Sequence, residues 1–134
     1  MVDRWARELD FGSVLPVLAL EGDRVVGDAT LHRYRTGWKQ RVGLVRIQIA
    51  PDFRNRGLGT AMVRELRHLG EKAALRYLMA EVMADQRGAI RAFEKLGFER
   101  AALFRDFVND AKGRLHDLVI LLHEMAGAEQ ADVY

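Results

Sequence analysis

The eight residues Arg54-Asn55-Arg56-Gly57-Leu58-Gly59-Thr60-Ala61 constrain this chain more than any other stretch. They join an apolar run at residues 43–50, read as a strand, to a segment with Leu58, Ala61, Met62, Leu66 and Leu69 at helical spacing. Glycines at 57 and 59 remove two Cβ atoms where that helix begins, so a ligand can approach the backbone closely. The first turn of a helix also holds N–H groups without intrahelical partners and the positive end of the macrodipole. With Arg54 and Arg56 beside it, such a helix start suits a di- or triphosphate-like anion. The bland alternative is a solvated basic loop running into a surface helix.

Two familiar phosphate loops do not fit these residues. A P-loop needs Lys followed by Ser or Thr after its second glycine, and this chain has Thr60-Ala61. A dinucleotide fingerprint needs a third glycine or alanine where Met62 stands, and its first glycine directly after the strand. Residues 51–56 intervene here.

The 134 residues make one domain with room for a real core. With 49% hydrophobic and 30% charged residues, the composition is that of an ordinary globular protein, and no apolar run approaches a membrane span. The absence of cysteine excludes disulfides and thiol catalysis and fits a cytoplasmic location. A net charge of +2, spread along the chain, argues against a nucleic-acid partner despite a pI near 9.2. His32, His68, His116 and His123 have no metal-ligand spacing, so no metal is expected.

Along the chain, residues 2–9 read as a short amphipathic helix, 14–20 and 25–35 as a hairpin around the turn at 21–23, and 36–40 as a loop. The first long helix is expected to stop at Gly70. A strand at 75–83 follows, then a helix at 86–96 closed by Gly97, then strands at 98–108 and 114–123. The expected organisation is a helical lead-in at 1–13, an α/β domain with a mixed central sheet at 14–125, and a frayed tail at 126–134.

Arg54, Gly57 and Gly59 match in order the Arg/Gln-x-x-Gly-x-Gly/Ala signature of the GNAT acetyltransferases, and the loop text from Asp52 onward resembles theirs. Residues 89–99, Ala-Ile-Arg-Ala-Phe-Glu-Lys-Leu-Gly-Phe-Glu, are similar to that family's second motif. The resemblance implies a GNAT-like single domain and an N-acetyltransferase using acetyl-CoA as co-substrate. The acceptor would be a primary amine of a small molecule or protein, attacking the thioester directly. By the same resemblance, Ile47, Gln48 and Ile49 would meet the pantetheine arm through their backbone. Arg54, Asn55, Arg56, Gly57, Leu58, Gly59 and Thr60 would hold the pyrophosphate. Gln86, Ala89 and Phe93 would border the arm and the thioester.

Three departures from the family pattern stand out. Few residues precede position 14, so the family's first strand is expected to be missing. That leaves an open sheet edge which tends to recruit a second copy or another chain. Phe93 stands where many members have a tyrosine acid, and Gly43 where many have a glutamate base. The strand at 41–50 has no carboxylate, yet an alkyl ammonium needs about 4 kcal/mol to shed its proton at neutral pH. His116 (alternating with Asp117), His32 and Gln48 are the candidates for this service, Gln48 only by orienting water. The loop with Tyr34, Trp38, Arg33, Arg35, Lys39 and Arg41 is a candidate acceptor contact, with Trp38 alternatively capping the core. A catalytically weak acyl-CoA-binding module remains the alternative, and a small nucleic-acid-binding domain a more distant one.

Overall fold

The computed structural model describes residues 13–125. In chain order it runs β1 (Val14–Glu21), β2 (Arg24–Arg33), β3 (Val42–Ile49), a 3-10 turn (Pro51–Phe53), α1 (Leu58–Lys72), β4 (Tyr77–Met83), α2 (Arg87–Lys95), β5 (Glu99–Asn109) and β6 (Leu115–Glu124). The six strands form one mixed sheet, order β1-β2-β3-β4-β6-β5. Only the β3–β4 pair is parallel, its two strands joined through the crossover helix α1. The helical lead-in expected at 2–9 and the tail at 126–134 lie outside the described residues.

Alternation decides which face is buried. Ala29 and Leu31 of β2, Val45 of β3, Leu78, Ala80 and Val82 of β4, and Val119 and Leu121 of β6 line up across the ladder and join one core cluster. Both helices cover that face. From α1 come Met62, Val63 and Leu66, and from α2 Ile90 and Phe93, all buried. Each such side chain contributes roughly 1.5–3 kcal/mol, so the amphipathic stripe rather than helix propensity holds α1 in place. The other face carries Asp28, Thr30, His32, Arg46, Gln48 and Glu81.

The element order agrees with expectation, and the boundaries move. The first helix does not stop at Gly70 but continues through it to Lys72. A Cβ at Gly70 would stand 3.0 Å from Leu78 Cδ2 and 3.3 Å from Met125 Cε, so this glycine admits close helix–sheet packing instead of capping. Ala74, with φ of 56°, makes the left-handed turn after the helix. Leu75 and Arg76 fall before β4, where Arg76 N donates to Arg41 O at 2.7 Å. Gly97 does terminate α2 in the left-handed region, with φ of 94°. Among the described residues no helix is long and apolar enough to cross a membrane.

Candidate functional site

The loop before α1 is fixed from outside. Arg24 makes two hydrogen bonds to Asp52, 2.7 and 2.8 Å, tying the first hairpin to the 3-10 turn. The Arg24 guanidinium holds the Asp52 carboxyl below its ordinary value. Phe53 is met by two guanidinium groups, Arg56 at 4.8 Å and Arg24 at 5.8 Å from its ring centre. Arg54 turns the other way, and its Nε donates to Ile49 O at 3.3 Å over the end of β3.

Between these anchors the backbone coils. Asn55 and Gly57 are both left-handed, with φ of 61° and 81°. Gly57 caps α1 with no side-chain acceptor, leaving the first-turn amides without intrahelical partners. The two loop glycines have different causes. A Cβ on Gly57 would meet nothing within 4 Å, so its backbone angle demands glycine and the space beside it is open. A Cβ on Gly59 would stand 3.2 Å from Ile49 Cδ1 and 3.6 Å from Ala92 Cβ, so that glycine serves packing of α1 on β3 and α2.

Beside the loop, the sheet opens. The β3–β4 ladder pairs residues 42–45 with 77–80 and ends there, although β3 continues to Ile49 and β4 to Met83. Among the described residues, 46–49 therefore have no strand partner on the side β4 has left, where Arg54 Nε reaches Ile49 O. A cleft of about 1070 Å³ occupies this region, at the upper end of the ~300–1,000 Å³ usual for small-molecule sites. Ile47, Gln48, Ile49, Arg54, Asn55, Gly57, Gly59, Thr60, Gln86, Ala89 and Phe93 all line it. Arg56 and Leu58 do not, since Arg56 stacks on Phe53 and Leu58 packs on the core. Phe93 is 1% exposed and meets Phe98 edge to face at 5.0 Å, so it is a core residue that also floors the cleft.

The other proton-handling candidates lie elsewhere. His32 is exposed on the face away from the helices and is not in the lining. His116 is held between two carboxylates, its Nε2 2.9 Å from Asp110 Oδ2 and its Nδ1 3.4 Å from Asp85 Oδ2. The hydrogen bond from His116, with further ones from the Arg114 backbone and guanidinium, holds the Asp110 carboxyl far below its ordinary range. Asp117 Oδ1 accepts from the Asp106 amide at 2.9 Å, where β5 bulges against β6. None of the acceptor-loop residues lines the cleft, and Trp38, 97% exposed, does not cap the core. Gly43 is packed against Leu31, Leu75 and Leu78, with 2.5 Å left for a Cβ, so a glutamate has no room there.

Sequence reasoning missed several lining residues. Arg87, Arg91 and Lys95 join the expected Arg54 on the cleft, against two carboxylates, Asp28 and Asp85. Arg87 and Arg91 were visible as one face of α2, one turn apart, and Asp28 as the single acid within an apolar strand. The net positive rim and the open backbone at Gly57 fit a polyphosphate bearing an extended arm. Among the described residues no cluster of His, Asp or Glu has the makings of a metal site.

Residues 2–98 match the acetyltransferase (GNAT) family. The bS18-alanine N-acetyltransferase of Escherichia coli K12, which acts on a ribosomal protein, is 33% identical over 79 residues, 59% of this chain and 53% of that protein. The chain thus spans about half the length of the curated relatives it matches. Among solved structures, ribosomal-protein-alanine N-acetyltransferase from Brucella melitensis superposes with a TM-score of 0.78 at 19% identity, covering 92% of this chain and 76% of that one. Salmonella typhimurium yncA, solved with its cofactor acetyl-CoA, gives 0.77 at 20% identity, covering 94% and 72%.

Proposed function

The chain belongs to the GNAT acetyltransferase family, and from that membership we propose that it is an N-acetyltransferase moving an acetyl group from acetyl-CoA to a primary amine. The observation carrying this reading is the cleft where β3 and β4 part, bounded by the glycine-capped start of α1 and lined by four cations. Acetyl-CoA supplies an activated thioester there. The amides of residues 57–60, with Arg54 and Asn55, hold its pyrophosphate, and the backbone of Ile47, Gln48 and Ile49, on the side that β4 has left, takes the arm as an added strand. Gln86 and Ala89, at the start of α2, line the facing wall, and buried Phe93 excludes water from the inner end.

The preferred acceptor is an α-amine of a peptide or protein. Its pKa of ~7.7–8.0 leaves a useful neutral fraction at pH 7, whereas a lysine amine at ~10.4 costs about 3.5 kcal/mol more to deprotonate. That difference weighs heavily where β3 carries no carboxylate and Phe93 no hydroxyl. The alanine acceptor named for the E. coli relative supports the same preference. Phe93 also favours a second reading, a domain that binds acyl-CoA without turnover.

Calorimetry with acetyl-CoA and thiol release over a panel of peptides and small amines test the proposal together. Wild type is expected to bind acetyl-CoA and to release thiol with at least one amine. Gly57→Asp, which sets bulk and negative charge on the anion seat, is expected to lose binding by at least ~100-fold. Binding with no release on any amine would favour the second reading, and indifference to acetyl-CoA would end both.

A further inference from the structure

Among the described residues, Asp28 brings to the cleft a buried side-chain oxygen that nothing satisfies. It sits on β2 directly opposite Gln48 of β3 on one side and Leu18 of β1 on the other, and these three share one face of the sheet. Asp28 and Gln48 both line the cleft. The Asp28 Oδ1 is buried and has no hydrogen-bond partner among the described residues. Buried carboxylate oxygens are nearly always partnered, and leaving one bare costs about 1–3 kcal/mol or more. A donor is therefore expected from outside the chain.

The chain's own cations do not meet this need. Arg54 is turned to Ile49 O, and Arg87, Arg91 and Lys95 belong to α2 across the cleft. Arg46, two residues along β3 on the same face, is exposed. The donor that fits is a compact cation with several N–H groups, since Asp28 accepts, the Gln48 amide accepts or donates, and Leu18 gives an apolar wall.

We propose that Asp28 binds the acceptor's primary amine, taking its N–H groups while Gln48 flanks them. This rests on the N-acetyltransferase reading and adds the residue that selects the acceptor. Asp28 acts here as a binding group that holds the acceptor as its ammonium, a charge that separates amines from neutral nucleophiles, and one proton leaves that nitrogen to solvent before its lone pair attacks the thioester.

The test compares wild type with Asp28→Asn, which keeps the shape and removes the charge, and with Leu18→Lys. The latter tethers an ammonium across the ladder from Asp28, where opposite Cβ atoms are ~5 Å apart. Kinetics use acetyl-CoA with a short synthetic peptide bearing a free N-terminal alanine, alongside the panel of small amines. Both variants are expected to raise the acceptor KM roughly 10- to 100-fold, with acetyl-CoA affinity by calorimetry held within about twofold. Leu18→Lys keeps Asp28 in place and serves if Asp28→Asn does not fold. Unchanged acceptor kinetics in a folded variant would overturn the proposal. So would weakening of acetyl-CoA in step with the acceptor, the mark of a merely structural role. Failure of wild type to bind acetyl-CoA would be seen first, and it would remove the transferase reading itself.

Discussion

His116, Asp110 and Arg114 form a tight knot at the β5–β6 turn, where one Asp110 oxygen accepts from the amides of Lys112 and Arg114 and the other from Arg114 Nε and His116. The depressed Asp110 pKa has a definite stability consequence. The folded carboxyl ionises more readily than the unfolded one, so its contribution is full above the ordinary aspartate value of 3.8 and fades as pH falls below it. Asp110→Asn is therefore expected to lower the thermal midpoint near neutral pH, and the gap from wild type should close as pH drops from about 5 to 2. An unchanging gap across that range would assign the loss to shape alone. The setting of His116 was not legible in the chain: Asp110 sits 25 residues past Asp85, and no local pattern announces that both hold one imidazole.

Elements show where reading the chain succeeded and where it stopped. Helical spacing identified α1 and α2, and Gly97 was read as a cap because it follows the last apolar position of α2. Gly70 met the same local description and proved to be a packing glycine, since what decides it is Leu78 and Met125 arriving from β4 and the end of β6. The anion loop was legible because glycine spacing, charge and helix start are all local. Asp28 was not, because its significance comes from a ladder that sets it beside Gln48. Gly70→Ala follows from this. Alanine gains about 1 kcal/mol in helix propensity, but its methyl meets fully buried Leu78 at 3.0 Å, and overpacking costs about 1–3 kcal/mol. A net loss of about 1 kcal/mol is expected in denaturant unfolding, and a gain would mean that Leu78 has room to move.

At the scale of the whole molecule, the sheet formed by the described residues ends at two edge strands, β1 and β5. Edges recruit partners unless they are interrupted. The β5 edge is broken by two register shifts and by Asp106 in the left-handed region, which bends its backbone away from regular pairing. In β1 the interruptions are Pro16, which has no N–H to offer, and the shift between Ala19 and Leu20. Only residues 17–19 lie between them, with Leu18 exposed at 52% within that run and Leu20 at 62% just past it. Pairing of two copies through so short a run has few ladder bonds to offer, so association through β1 should be concentration-dependent rather than obligate. Light scattering is expected to show a mass that climbs toward a dimer with concentration, and Leu20→Lys, which sets like charges against each other at that edge, should hold the chain monomeric. The cleft lies inward of β1, on β2, β3 and the helices, so the same variant should keep its affinity for acetyl-CoA. A dimer that survives Leu20→Lys would move the interface to another surface, and lost affinity would mean that the edge and the cleft are coupled.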